Sequence, residues 1–296
     1  MSKVTVRFFH VGKAGKNVPD LEKALWAAHA LSDKASGRER VVEGHVLRLE
    51  RLADYGEYTA GEIVRKQTGD IPPEANSEGL ARLSVSEGGG LGHCIAFRYH
   101  RRLAIIAIQF DTRAVSINRL MLYLKEIDTS QVYNVRAMIR RDSWEKYNKG
   151  KPTKLSFTIA QPTNLAAVEG EVGSVIASTK RLAEIAEAPR IHIEVSMGRG
   201  KGSLRKGVVD DVLKFFTTGV GKTEEVKQLQ VNSSTDDGTE MIDFLTELLK
   251  DTDHLELPDG DPEGHYKVRL AWLKEAFDKH YDQIELMHGA ASDGIS

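Results

Sequence analysis

The stretch HCIAFRYHRRLAIIAIQF, residues 93–110, decides the fold class. Its second half, Leu103–Phe110, is almost continuously apolar, as a β-strand covered on both faces is. The first half, His93–Tyr99, also has the pattern of a strand, and a His-Arg-Arg turn at residues 100–102 separates the two. We therefore predict a central β-hairpin whose second strand is buried on both faces.

Further strands and helices are predicted on both sides of this hairpin from the spacing of apolar residues. The predicted strands are Val4–Phe8, Val41–Leu52, Gln131–Arg140, Leu155–Ile159, Ile191–Val195 and Val226–Val231. The predicted helices are one that follows Pro19, then Val115–Glu126, Asp142–Asn148, Gly173–Ala186, one that carries Leu204 to Phe216, Met241–Leu249 and Glu263–Met287. Because their order has no regular βαβ period, we predict an α+β fold with mixed or antiparallel sheets, packed helices and a long C-terminal helix.

Residues 70–90 mark the expected domain boundary. This segment contains two prolines and several glycines and has little periodicity, which is typical of a long loop or a junction. We predict an N-terminal α+β part over residues 1–90 and a main α+β part over residues 91–296. The main part carries the basic clusters and an acidic, helical C-terminal region.

The composition is typical of a globular protein from a reducing compartment. Of the 296 residues, 41% are hydrophobic and 28% are charged, close to the average for folded domains. Cys94 is the only cysteine, which excludes a disulfide within the chain. No apolar run approaches the roughly 18 residues of a membrane span, and the N-terminus lacks a signal-peptide pattern. These features predict a cytoplasmic protein.

The net charge of −2 is distributed unevenly along the chain. Residues 236–296 contain 16 acidic and 5 basic residues, a balance of −11, which leaves +9 for residues 1–235. Such asymmetry is typical of chains whose basic part binds nucleic acid or another acidic partner. The alternative is a solvated surface whose two parts attract each other.

The segment GVGKT, Gly219–Thr223, resembles the end of a phosphate-binding P-loop. A P-loop needs a glycine five residues before Gly221, where this chain has Phe216. It must also follow a buried strand, whereas this segment follows a predicted helix. We interpret Gly219 as the residue that stops that helix.

No other motif predicts catalysis or a bound cofactor. No two of the ten histidines are four residues apart, and no second cysteine is present to complete a zinc site. Asp259, Asp261 and Glu263 have the spacing of calcium ligands, but the rest of a calcium loop is missing. Cys94 lies in a predicted strand, where a lone cysteine usually behaves as a small apolar group. We predict no catalytic residue, no metal site and no cofactor.

Three basic clusters are the candidate nucleic-acid-binding sites. One surrounds the hairpin turn, one lies within residues 136–154, and one lies in the glycine-rich segment 197–207. Glycine amides and the start of a helix, with Ser203 as the expected N-cap, favour phosphate binding in the third cluster. Trp144 and Tyr147 are candidates for base stacking, with core packing as the alternative for Trp144. The candidate residues are Arg98, Arg101, Arg102, Arg136, Arg140, Arg141, Lys149, Lys151, Arg199, Lys201, Arg205 and Lys206.

Residues 90–285 resemble the RexA-like family of phage abortive-infection and prophage proteins in the order of their elements. The resemblance is carried by GHCIAFRYHRRLAIIAIQF, RAVSINRLMLYLKE, VYNVRAMIRRDSWEKYNKGKPTKLSFTIA, RLAEIAEAPRIHIEVSMGRGKGSLRKGVVDDVLKFF and HYKVRLAWLKEAFDKHYDQI. It implies a two-part α+β dimer that binds DNA without sequence preference and acts in phage–host conflict. It assigns no role to an individual residue.

The closing helix carries a long apolar stripe that predicts a homodimer, with packing on the protein's own core as the alternative. The stripe residues are Tyr266, Leu270, Leu273, Phe277, Tyr281, Ile284 and Met287.

The expected function is non-enzymatic binding of double-stranded DNA with little sequence specificity, in phage defence. Neutralising about six phosphates predicts an affinity loss on the order of a thousandfold between 50 and 200 mM salt. A membrane protein or another product of a defence operon is an expected partner, without membrane insertion by this chain. The alternatives are a nuclease or nucleotide-handling effector whose residues converge only in the fold, and a protein-interaction module that uses the acidic C-terminal region.

Overall fold

The computed structural model describes residues 1–160, 175–198, 200, 202–217, 226–235 and 238–285. The chain forms two compact units. Unit 1 comprises Met1–Tyr133 and Lys250–Ser296, and unit 2 comprises Asn134–Leu249. Arg199, Lys201, Gly219–Thr223 and Met287, which the sequence singled out, lie outside the described residues.

Strands and short or medium helices alternate irregularly, and the predicted α+β class is confirmed. The strands are β1 (Ser2–Lys13), β2 (Arg40–Val42), β3 (His45–Asp54), β4 (Tyr58–Gln67), β5 (Glu74–Asn76), β6 (Gly79–Ala81), β7 (Leu91–His100), β8 (Ile105–Phe110), β9 (Tyr133–Ala137), β10 (Lys151–Ala160), β11 (Arg190–Ser196), β12 (Val226–Thr235), β13 (Gly238–Asp243) and β14 (Lys250–Leu255). The α-helices are α1 (Leu21–His29), α2 (Ile117–Ile127), α3 (Arg141–Lys149), α4 (Val175–Ala186), α5 (Lys206–Thr217) and α6 (Pro262–Lys279), and a 3₁₀ helix spans Ala35–Arg38. Among the described residues, no helix is long and apolar enough to cross a membrane.

Unit 1 is built on an antiparallel sheet with the strand order β14-β1-β8-β7-β4-β3-β2. The predicted central hairpin is β7 and β8, in which Phe97 pairs with Ile108 and His100 with Ile105. Ile105–Gln109 are all buried, as expected for a strand covered on both faces. The apolar run therefore does mark the centre of the sheet.

The boundary between the units does not fall at residue 90. β4 precedes that position and β7 follows it, and the two strands pair over ten residues, from Tyr58 with His100 to Gln67 with Leu91. A sheet cannot be divided between two strands that share so many backbone hydrogen bonds. Residues 70–90 are instead an excursion between paired strands, with a small hairpin of β5 and β6 inside it.

The closing helix is shorter than predicted, and its apolar stripe is covered by its own unit. α6 begins with Pro262 and ends at Lys279, where the His280 amide turns back to bond the carbonyl oxygens of Phe277 and Asp278. The helix packs against β7, β8 and β14. The stripe residues Tyr266, Leu273, Phe277 and Ile284 are buried. The apolar stripe therefore packs within unit 1, and it is no longer an argument for the predicted homodimer.

Unit 2 is a four-stranded antiparallel sheet, order β11-β10-β12-β13, with α3, α4 and α5. Alternate residues of β10 form the centre of its core, because Leu155, Phe157 and Ile159 point to the same face of the sheet. Residues from α5 complete this core, among them Leu213 and Phe216, both buried.

The predicted helix Met241–Leu249 is wrong, because its first residues form β13. Val231 pairs with Ile242 and Gln230 with Asp243, so Ile242 is buried while Met241 is 59% exposed. This alternation is the two-residue period of a strand. The carboxylate of Asp243 then accepts hydrogen bonds from the backbone amides of Leu245 at 3.0 Å and Thr246 at 3.4 Å. These bonds stabilise a turn that ends the strand.

Candidate nucleic-acid interface

Arg98, the first candidate of the hairpin cluster, is not available to a ligand. It is 5% exposed, and its guanidinium carbon lies 3.3 Å from the centre of the Tyr58 ring and 5.7 Å from that of Phe277. Burial lowers the pKa of Arg98, because the charged form is the one that loses hydration. Arg98 therefore acts as a buried cation between aromatic rings.

The other two arginines of the hairpin turn bind carboxylates of unit 1. Arg101 bonds Glu22 and Asp54, each at 2.7 Å, and so ties the turn to α1 and to the end of β3. Arg102 is exposed and donates to Glu285 and to the Tyr281 hydroxyl, each at 2.6 Å. These hydrogen bonds raise the pKa of Arg102. The first cluster is mainly structural.

In the second cluster, several cations are paired on the surface of unit 2. Arg140 lies 3.1 Å from Asp142, and Arg141 lies 2.7 Å from Glu145. Exposed pairs of this kind stabilise a fold by about 1 kcal/mol at most, but they do lower the net positive charge. Lys149 and Lys151 are exposed, and so is Arg136 on β9.

The third cluster lies at the start of α5, two residues later than expected. The helix begins at Lys206, and the amides of Val208 and Val209 bond the carbonyl oxygen of Arg205. Arg205 thus occupies the N-cap position, and the prediction of Ser203 as the N-cap is wrong. Arg205 and Lys206 are both exposed.

Backbone and side-chain hydrogen bonds bring parts of the second and third clusters together. The Leu204 amide donates to the Pro152 carbonyl oxygen at 2.7 Å, which places Arg205 beside the start of β10. The ammonium of Lys206 donates to the Asn148 side chain at 3.0 Å, at the end of α3. Two pairs of exposed cations from distant segments of the chain therefore form one patch, the basic surface of unit 2. Its residues are Lys149, Lys151, Arg205 and Lys206.

The start of α5 carries cations where helix stability favours carboxylates. Arg205 is at the N-cap, Lys206 is the first helical residue, and the first turn has no acidic residue. The N-terminal end of a helix dipole is itself partly positive, so cations there repel it by a few tenths of a kcal/mol. An anion bound at this point would remove that repulsion and contact both charges.

Tyr147 and Trp144 belong to the core of unit 2, so the expectation that Tyr147 stacks on bases is wrong. Tyr147 is 0% exposed, and its hydroxyl donates to Asp210 at 2.7 Å. The partly buried Trp144 ring packs edge-on against Phe244, with their centroids 5.2 Å apart. Burial also raises the pKa of the Tyr147 hydroxyl.

The charge asymmetry along the chain does not coincide with the two units. By sequence, unit 2 has 17 basic and 16 acidic residues, a balance of +1, and unit 1 has 24 and 27, a balance of −3. The reason is that the acidic C-terminal region is divided between the units at residue 250. The local patch, and not the overall balance, is what remains as an indication of an anionic ligand.

We expect no binding of ATP or GTP. Phe216, which occupies the place of the first P-loop glycine, is 1% exposed, and its ring centroid lies 5.2 Å from that of Phe157. A phosphate cannot approach the backbone at a residue whose side chain fills the core. Calorimetric titration with MgATP checks this, and saturable micromolar binding that Lys222→Ala abolishes would contradict it.

Within the part of the chain that the structure describes, no three His, Cys, Asp or Glu side chains come together as potential metal ligands. Burial raises the pKa of the Cys94 thiol to about 11, with a further contribution from the nearby Glu62. At neutral pH this thiol is protonated, and a thiol in that form is a poor nucleophile.

A protein-family model matches most of the chain. The model of a family of unknown function, DUF6731, matches residues 16–285. No curated protein matches the chain.

Proposed function

The chain belongs to the DUF6731 family, and we propose that it binds double-stranded DNA through the basic surface of unit 2, without reading the base sequence. The observation that supports this is the convergence of Lys149 and Lys151 with Arg205 and Lys206, held by the Leu204–Pro152 and Lys206–Asn148 hydrogen bonds. The proposal of a role in phage–host conflict rests on the resemblance to RexA-like proteins alone.

Exposed lysine and arginine side chains at the start of a helix suit phosphates, because the backbone amides there also favour an anion. Contacts to phosphates position a protein on DNA but carry no sequence information. None of the four residues of this surface is an asparagine or glutamine, the residues that read adenine. Asn148 beside it already accepts a hydrogen bond from the Lys206 ammonium at 3.0 Å. The proposed mode is therefore electrostatic, with affinity supplied by release of counterions.

The number of phosphates contacted sets the expected salt dependence. Four cations predict an affinity loss of about a hundredfold between 50 and 200 mM salt, and six predict about a thousandfold. The larger value is expected if Arg199 and Lys201 also bind. Fluorescence anisotropy of unrelated labelled duplexes across a salt series measures this slope, and slopes that agree between duplexes show the lack of sequence preference.

A charge-reversal variant and a matched control locate the surface. Replacing Lys149, Lys151, Arg205 and Lys206 by glutamate should weaken binding at 50 mM salt by at least about a hundredfold. The control reverses four exposed lysines of unit 1, Lys3, Lys16, Lys34 and Lys125, and changes the net charge equally. If both variants lose affinity equally, only overall charge matters and the proposed surface is wrong.

Two outcomes would favour the alternative functions. Cleavage of the duplex that requires a divalent metal would indicate a nuclease. Absence of any binding at 50 mM salt would exclude the DNA proposal and favour a protein-interaction module.

The acidic side chains of the C-terminal region are less available for binding a protein than the sequence implies. Asp251, Glu263 and Asp278 each form an ion pair with a cation of unit 1.

A further inference from the structure

Among the described residues, five strands of the two larger sheets have a single neighbour. One of them, β9, has only five residues, and three others have features that prevent pairing with another chain. β2 has only three residues. β14 carries the like charges Asp251 and Asp253. β13 starts at Gly238, with a φ of 136°, and carries Glu240 and Asp243. Short length, charge and irregular backbone are the usual means by which an exposed edge avoids association.

The fifth edge strand, β11, is longer than β2 and β9 and regular, and its two charged residues, Arg190 and Glu194, are of opposite sign. It pairs with β10 over seven consecutive residues, from Arg190 opposite Ala160 to Ser196 opposite Lys154, without a bulge. Its sequence, RIHIEVS, contains neither proline nor glycine, and alternates β-branched with polar residues. Most of its side chains are exposed, including Val195 at 40%. Such a regular edge is a template for another strand.

We propose that a second copy of this chain binds β11 through its own β11, antiparallel and centred on Ile193, so that the two four-stranded sheets become one of eight strands. All seven residues of each strand then pair. Ile193 lies opposite Ile193 of the second copy, and Ile191 lies opposite its Val195. Apolar residues meet on one face of the sheet and polar residues meet on the other.

The number of paired residues and the charges together select this register, because a pairing centred on His192 or on Glu194 would leave only five residues of each strand paired. Centred on Ile193, the pairing places His192 opposite Glu194 of the second copy, twice by symmetry. Centred on Glu194, it would place two carboxylates opposite each other, which is destabilising. A shift by one residue would set apolar residues against polar ones along the whole strand.

The helix that packs beside β11 adds exposed apolar surface. α4 contacts β11 and buries Ile176, Thr179 and Ala183 against unit 2. Leu182 and Ile185 on the same helix remain 51% and 73% exposed, and residues three apart are neighbours on a helix surface. An apolar pair next to an open strand edge is more typical of a protein contact than of a solvated face.

The mass of the protein in solution tests the proposal. Sedimentation of the wild type at tens of micromolar should give about twice the chain mass of 32.8 kDa. His192→Glu should raise the dissociation constant of the dimer by at least about tenfold, because carboxylates then face each other. Adding Glu194→His should restore the dimer. The control, His254→Glu, makes the same change on the edge strand β14 and should leave the dimer intact.

Cysteine cross-linking tests the register without relying on charge. Residues directly opposite in an antiparallel pair have Cα atoms about 4.5–5.5 Å apart, which a disulfide can span. Ile193→Cys should therefore form a covalent dimer on mild oxidation. Val195→Cys should not, since the two copies of residue 195 would be about 13 Å apart.

A wild-type monomer would overturn the proposal, and so would a dimer that His192→Glu leaves intact. The register would be overturned if the variant with both His192→Glu and Glu194→His did not dimerise. It would also be overturned if Ile193→Cys and Val195→Cys formed covalent dimers equally well. The DNA proposal does not depend on any of these results, because no residue of the basic surface lies on β11.

Discussion

Phe277→Ala should lower the free energy of unfolding by about 3–5 kcal/mol, the usual cost of deleting a buried aromatic side chain. Phe277 is 1% exposed, and its ring stacks on His100 with centroids 5.5 Å apart and 12° between the planes. The Phe8 ring lies 6.1 Å away, on β1 of the same sheet. The alanine variant would leave a cavity between α6 and the centre of the sheet, and these neighbours are held by β-strands that cannot move to fill it.

Urea denaturation followed by circular dichroism measures this loss, with Glu275→Ala as the control. Glu275 is an exposed residue of the same helix, and its removal should change stability by less than about 0.5 kcal/mol. If the apolar stripe of α6 were instead a dimer interface, Phe277→Ala would reduce the mass in solution and leave the stability of the monomer almost unchanged. That result would contradict the packing described for unit 1.

The elements that the sequence predicts well are those with one clear period. Leu103–Phe110 is too apolar for a surface strand and too short for a buried helix, and it contains β8, which is buried except at Phe110. Leu155–Ile159 alternates strictly and lies in β10. The side chains alone select both structures: the continuous apolar run requires burial on both faces, and the alternating run has one face assignment that buries its apolar residues.

The sequence mispredicts Met241–Leu249 as a helix, because its apolar residues fit both the helical period and the two-residue period of a strand. Met241, Leu245 and Leu248 have helical spacing, whereas Ile242 and Phe244 have the spacing of a strand. Pairing of β13 with β12 and the turn at Asp243 select the strand. The choice therefore depends on a neighbouring strand and on one short side chain, and neither is visible in local periodicity.

The boundary of the units could not be predicted for a related reason. Unit 1 is discontinuous, since β14 pairs with β1 through contacts such as Ser2 with Leu255. Such pairing joins the two ends of the chain, and a change in local composition does not indicate it. The segment 70–90 looks like a junction only because excursions between strands have the same composition as linkers.

For the candidate site, the sequence shows where cations are but not which of them are neutralised. Arg101 and Arg205 look alike in sequence, each beside a second basic residue. In the structure Arg101 contacts Glu22 and Asp54 from two other elements, whereas Arg205 is exposed beside Lys206. Side-chain partners from distant positions decide whether a cation is structural or available.

Tyr147→Ala should destabilise unit 2 by about 3–5 kcal/mol, and Tyr147→Phe by only about 1 kcal/mol. The alanine variant loses a ring that is 0% exposed and lies between Trp144 and Phe244, with centroids 5.8 Å from each. The phenylalanine variant keeps this packing and loses only the 2.7 Å hydrogen bond to Asp210. Asp210 is partly exposed, so water can replace the hydroxyl.

A leucine variant separates this structural role from base stacking. Tyr147→Leu keeps an apolar side chain in the core but removes the aromatic ring, so its DNA affinity should match that of the wild type under conditions where both are folded. If Tyr147 stacked on a base, its loss should weaken the binding free energy by about 1–3 kcal/mol, a loss of affinity of roughly 5- to 150-fold. Urea denaturation and fluorescence anisotropy of the three variants decide the matter. A stable Tyr147→Ala protein with weakened DNA binding would show that the Tyr147 ring contacts the DNA. A destabilised Tyr147→Ala protein, together with full DNA binding by Tyr147→Leu, would show that the ring packs in the core beneath the basic surface of unit 2.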